Sequence, residues 1–71
     1  MKLDWNDIQE LAVRLFERYD TLNPRTVKLT DMRKWVLDLE DFHGLPGGGG
    51  DEVLRSVQNE WYKLWAEEYG S

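Results

Sequence analysis

Residues 29 to 42, LTDMRKWVLDLEDF, place three carboxylates, Asp38, Glu40 and Asp41, directly behind an apolar stripe. At this density acidic side chains serve one of three ends: a hydrated helix terminus, a site for a hard cation, or a docking surface for a basic partner. As oxygen donors they suit Fe(II), Mn, Mg or Ca, and Asp20 or His43 would join them if folding brings either near. The spacing is not that of an EF-hand, and carboxylates without preorganised geometry hold divalent ions loosely. The hydrated-terminus reading has its own difficulty. Negative charges at a helix C-terminus oppose the helix dipole, each at a cost of about 0.3–1 kcal/mol at low salt, which points towards charge kept for binding.

Other chemistry is poorly supplied. Glu40 and Asp41 are adjacent, and a chain this short offers no deep pocket to push two carboxyl pKa values apart for acid and base work. The only histidine, His43, has no serine nucleophile near it in sequence, and cysteine is absent altogether, which removes thiolate catalysis, zinc ribbons and disulfides. Gly47 to Gly50 is followed by Asp51 and Glu52 rather than by the Lys and Ser/Thr of a phosphate loop, so a flexible spacer is the expectation there.

The formal net charge of -5 opposes nucleic-acid binding, which needs a basic face and draws affinity from counterion release. The charge is also uneven. Residues 24 to 35 carry Arg25, Lys28, Arg33 and Lys34 against Asp31, whereas residues 36 to 54 contain no Lys or Arg but hold Asp38, Glu40, Asp41, Asp51 and Glu52. An acidic patch beside a basic one fits a basic protein surface as partner. No apolar run approaches the roughly 18 residues of a membrane span, and Met1 to Asp7 lacks the regions of a signal peptide, so a soluble cytoplasmic protein is expected.

Three helices must position these groups. Ile8, Leu11, Ala12, Leu15, Phe16 and Tyr19 have the spacing of an amphipathic helix, with Asn6 as its N-cap and Gln9 completing a capping box. Asp20 to Pro24 reads as a turn, and Arg25 to Leu29 as a short extended piece. Thr30 and Asp31 open a second helix with the stripe Met32, Trp35, Val36 and Leu39. Phe42 to Gly50 reads as a loop or hinge. Asp51 and Glu52 then open the longest helix, striped by Val53, Leu54, Val57, Trp61, Leu64 and Trp65. With 71 residues and four tryptophans, the core must be aromatic and concentrated. Trp35, Trp61 and Trp65 are predicted to be core. Trp5 and Tyr19 bracket the first helix, and Tyr19 can present its hydroxyl beside Asp20. A recognition-helix reading of residues 51 to 69 fails, because five acidic residues there outnumber Arg55 and Lys63 and would repel phosphate.

Trp5 with Asp7, then Tyr19, Leu22, Pro24, Thr26, Val27, Thr30-Asp31-Met32, Trp35 and Asp38-Leu39-Glu40-Asp41-Phe42 resemble the IscX family, small acidic accessory proteins of bacterial iron-sulfur cluster assembly. The resemblance runs from Leu3 to about Trp61. With the helical periodicity it implies a mainly α, compact three-helix domain, winged-helix-like, with at most a short extended segment; the expectation is one domain over residues 1–69 and a disordered tail at 70–71. It also implies a cytoplasmic, non-enzymatic monomer that docks on the pathway's cysteine desulfurase, in competition with frataxin and ferredoxin. The implied docking residues are Tyr19, Asp20, Asp38, Glu40 and Asp41. No tightly bound cofactor is implied, only weak Fe(II) binding through Asp20, Asp38, Glu40 and Asp41. The alternative is a stand-alone iron(II) carrier or sensor with surface carboxylate ligands. His43, Gly44 and Leu45 stand where relatives commonly continue the acidic run, and Asn23 where an aspartate is common, which predicts weaker iron binding. The resemblance gives no role to Tyr62 to Ser71.

Overall fold

The computed structural model describes residues 3–45 and 47–70. Its elements are α1 (Ile8–Arg18), a 3-10 turn (Pro24–Thr26), α2 (Leu29–Leu37) and α3 (Asp51–Tyr69), so the chain is mainly helical, as predicted. The apolar stripes meet in one core. Leu11, Ala12 and Leu15 of α1, Met32 and Val36 of α2, and Leu54, Val57 and Trp61 of α3 are all buried. α1 and α3 share the largest interface. The radius of gyration of 11.2 Å equals the roughly 11 Å expected of a folded chain this long.

The ends of the elements depart from the sequence reading in instructive ways. Asp7, not Asn6, is the N-cap residue of α1, and its side chain makes no cap hydrogen bond. It accepts instead from the Asp4 N–H at 3.0 Å, while Asp4 accepts from the Asn6 N–H at 2.8 Å. Two carboxylates thus wind the entry segment into a turn, and the Asn6–Gln9 capping box does not form. In place of the extended piece, Asn23 caps the 3-10 turn by accepting from the Arg25 N–H at 3.0 Å. Proline at the first position of that turn needs no donor of its own, and only Val27 and Lys28 keep extended dihedrals. The Gln58 amide of α3 donates to the Pro24 and Val27 carbonyls at 2.9 and 3.3 Å, which fastens this crossing to the long helix.

Among the described residues the extended pairing is a single parallel bridge between Leu3 and Phe42. The Leu3 N–H donates to the Asp41 carbonyl at 2.8 Å, and the His43 N–H donates to the Leu3 carbonyl at 2.7 Å. Leu3 itself is buried. Leu3 is thereby tied to the segment that carries the carboxylates.

The glycine segment is not the flexible spacer expected, because it is fitted to Trp5. That indole is 8% exposed, lies edge-on to Phe42 at 4.8 Å, and donates from Nε1 to the Leu45 carbonyl at 2.7 Å. A Cβ built on Gly49 would stand 2.6 Å from the Trp5 ring and one on Gly48 2.8 Å from it, so at these positions only glycine lets the backbone approach so closely. Pro46 lies outside the described residues.

The aromatic assignments divide. Trp61 is wholly buried, Trp5 joins it in the core, and half-buried Trp35 packs on the core's edge. Trp65 does not belong with them. Among the described residues, Tyr62, Trp65 and Tyr69 are neither in the core nor among the half-buried residues packed against it. The stripe therefore leaves the core after Leu64: Tyr62 lies under Arg25 of the 3-10 turn, and Trp65 is half-buried outside the core cluster. Gly70, expected in a disordered tail, caps α3 by donating to the Ala66 carbonyl at 2.8 Å; Ser71 lies outside the described residues.

Candidate functional site

α2 ends at Leu37, and Asp38 is its C-cap residue, with near-helical dihedrals and its N–H directed to the Lys34 carbonyl. Glu40 and Asp41 follow in a tight turn whose last residue, Phe42, donates to the Leu39 carbonyl at 3.1 Å. The carboxylates therefore stand on a ledge beyond the helix end rather than within its last turn. Only Asp38 meets the full adverse field of the dipole.

Two arginines of α1 reach this ledge. Arg14 Nη1 lies 2.7 Å from Asp41 Oδ2, with both side chains about one third exposed. Arg18 Nη2 lies 3.6 Å from Asp38 Oδ2, and there the Asp38 side chain is 74% exposed. Arg14 and Arg18 are four residues apart and share a face of α1, so this pairing runs the end of α1 antiparallel to the segment from Trp35 to Asp41. Tyr19 completes it by stacking on Trp35 at 4.4 Å and 25°. Such exposed pairs contribute only about 0–1 kcal/mol each. Their larger effect is on position, because Asp41 is held at its side chain by Arg14 and at its carbonyl by Leu3.

The candidate residues are thus only partly brought together. Asp38, Glu40 and Asp41 share the ledge, and half-buried Tyr19 flanks it through Trp35. Glu40 is exposed and makes no ion pair or side-chain hydrogen bond among the described residues. Asp20 is exposed in the turn after α1, and its charge acts on α3: the Tyr69 hydroxyl is pushed above its ordinary value of 10.0 by desolvation first, then by Asp20 and Glu68. Among the described residues no three His, Asp or Glu side chains are grouped so as to hold a metal ion. The donor set therefore does not fit a preformed iron centre.

Arg14 and Arg18 were missed by counting charge along the chain, which made residues 36 to 54 look uniformly acidic. Their i,i+4 spacing beside the Leu11–Leu15 stripe was the available signal. His43 sits apart, exposed, in an open concavity of about 410 Å³ beside Asp4, Trp5 and Asn6, and among the described residues that line it there is no hydroxyl or thiol nucleophile. Among the described residues no helix is long and apolar enough to cross a membrane.

The chain is similar to known proteins along most of its length. The family described as iron-sulphur cluster assembly matches residues 3–67, a range that takes in the Leu3 bridge, both arginines and the three carboxylates. The "Uncharacterized protein PA3808" of Pseudomonas aeruginosa is 38% identical over 61 residues, covering 86% of this chain and 92% of that relative. Sequence motifs, helical architecture and family match agree: the chain belongs to the IscX/YfhJ family, accessory proteins with a role in iron-sulphur cluster assembly.

Proposed function

We propose that this chain is a regulatory adaptor of iron-sulfur cluster assembly that docks on the pathway's cysteine desulfurase through the ledge of Asp38, Glu40 and Asp41, flanked by Tyr19 and Asp20. The observation that carries the reading is the fixed exposure of the ledge. Asp41 is anchored at two points, while Asp38 and Glu40 stay open to solvent. A preorganised negative surface steers a basic partner and loses little entropy on docking. Arg14 and Arg18 offset part of the charge, so the surface discriminates by the placement of Glu40 and Asp38 rather than by bulk negativity.

Iron(II) enters this reading as a loosely attracted cation at the same carboxylates. The carrier or sensor reading requires saturable binding near micromolar levels, about -8.2 kcal/mol at 1 μM, and ungrouped, arginine-paired carboxylates give it little support. The docking reading is tested by mixing the purified chain with the desulfurase and measuring co-elution. Retention at low salt and loss at high salt is the expected pattern, since screening shortens the range of exposed charges to about 8 Å at physiological ionic strength. Absence of any complex at low salt would refute it.

A further inference from the structure

The last two turns of α3, from Tyr62 to Tyr69, carry an aromatic face outside the core cluster. Tyr62 and Trp65 stack at 5.9 Å and 27°, and Trp65 and Tyr69 lie 5.9 Å apart at 42°, as the i, i+3 and i+7 spacing on one helix face allows. Tyr69 is 47% exposed. The Trp65 Nε1 is shut away from solvent and has no hydrogen-bond partner among the described residues, so what this residue shows to solvent is not its polar edge. At one end of the face a cation is already seated. The Arg25 guanidinium lies 4.0 Å from the centre of the Tyr62 ring, within cation–π range.

The other end of the face has aromatic rings and negative charge, and α3 supplies no cation there. The last turn of α3 contains no basic residue, Glu67 and Glu68 are exposed there, and the charge of Asp20 reaches Tyr69. The negative end of the helix dipole adds to the same field. Stacked rings bordered by carboxylates complement a guanidinium, which is planar, weakly hydrated and able to stack and pair at once.

We propose that the Trp65–Tyr69 end of this face, bordered by Asp20 and Glu68, is a second docking surface, which takes an arginine-bearing segment of a protein partner and seats its guanidinium on the rings as Arg25 is seated on Tyr62. The surface is distinct from the ledge at Asp38 to Asp41, and the proposal does not depend on the desulfurase.

The test is a heteronuclear NMR titration of the isolated full chain with a synthetic Arg-Gly-Arg peptide, and with Lys-Gly-Lys as control. Saturable shifts of the Trp65 indole and Tyr69 signals are expected, with the arginine peptide bound more tightly. Trp65→Leu and, separately, the exposed Tyr69→Leu should each weaken binding roughly 2- to 30-fold while helicity is kept, and Glu40→Lys should leave the Trp65 and Tyr69 shifts in place. Shifts confined to residues 38–41 would overturn the proposal. So would unchanged affinity in Tyr69→Leu, or a concentration-dependent dimer that Tyr69→Leu abolishes, which would give the face to a second copy of this chain.

Discussion

Arg14 and Asp41, 27 positions apart in the chain, meet at 2.7 Å, and this contact fixes the acidic ledge to α1. It makes the ledge part of the folded core's outer surface rather than a loose helix end. A cation inside the surface also competes with any cation brought by a partner.

That competition is measurable at the longer pair. Arg18 and Asp38 stand 3.6 Å apart with both side chains well exposed, so Arg18→Ala should change stability by no more than about 1 kcal/mol. It makes the ledge more negative, and association with the desulfurase at low salt should become faster, with the gain lost at high salt. Stopped-flow association rates that are unchanged or slower at low salt would show that Arg18 does not compete for the ledge.

The glycine segment yields a contrast within three positions. Gly49→Ala sets a methyl 2.6 Å from the Trp5 ring and should destabilise the fold by about 1–3 kcal/mol through overpacking. Gly47 has open space where a Cβ would go and no positive φ. Gly47→Ala should be neutral, or stabilising by about 0.4–1 kcal/mol, through a stiffer unfolded chain. Urea unfolding of the two variants reads the difference directly. Equal stabilities would mean that the segment is a spacer after all.

The tryptophans should rank by their packing. Trp61 is wholly buried, so Trp61→Ala should cost about 3–5 kcal/mol, enough to unfold most of a domain this small. Trp35→Ala, at a half-buried position stacked on Tyr19, should cost less. Trp65→Ala, outside the core, should cost least. Denaturant midpoints of the three variants give the order, and a Trp65→Ala loss equal to that of Trp61→Ala would contradict the division drawn between core and face.

Tyr69 reports on Asp20. Its hydroxyl titrates above 10.0 through desolvation, then Asp20 and Glu68, so Asp20→Asn should lower that pKa towards 10.0. The sign for stability follows from linkage. A neutral acid with a raised folded pKa binds its proton more tightly when folded, so its contribution is present below the unfolded pKa and lost as pH rises through the folded one. An NMR titration of ring-labelled tyrosine resolves Tyr69 from Tyr19 and Tyr62, and no shift in Asp20→Asn would separate the two residues.

What the sequence made legible, and what it hid, divides by range. The helices were legible because stripes such as Leu11, Ala12 and Leu15 repeat within a few residues, and periodicity is a local signal. The motif from Thr30 to Phe42 pointed to the right family for the same reason. The Leu3–Phe42 bridge left no trace, since one pair of hydrogen bonds imposes no alternation on its neighbours. The role of Gly49 was hidden because a glycine required by a distant ring looks the same as one that frees a hinge. Trp65 was misassigned because a stripe records helical period alone, and it continues into a half-buried position outside the core cluster. Arg14 and Arg18 were overlooked because charge was summed along the chain, whereas the field at Asp38 is set by what folding brings across from α1.

The decisive measurement is the affinity of the desulfurase for the wild-type chain and for the double variant Asp38→Lys, Glu40→Lys, by calorimetry at low and at physiological salt. Both positions are exposed and neither is in the core, so the variant should keep its helicity, and circular dichroism checks this. Removing two carboxylates and adding two cations at a docking ledge should weaken binding at least about 100-fold at low salt, or roughly 2.7 kcal/mol, with the difference shrinking as salt rises. A folded double variant that binds as tightly as the wild-type chain at both salt concentrations would contradict docking through the ledge.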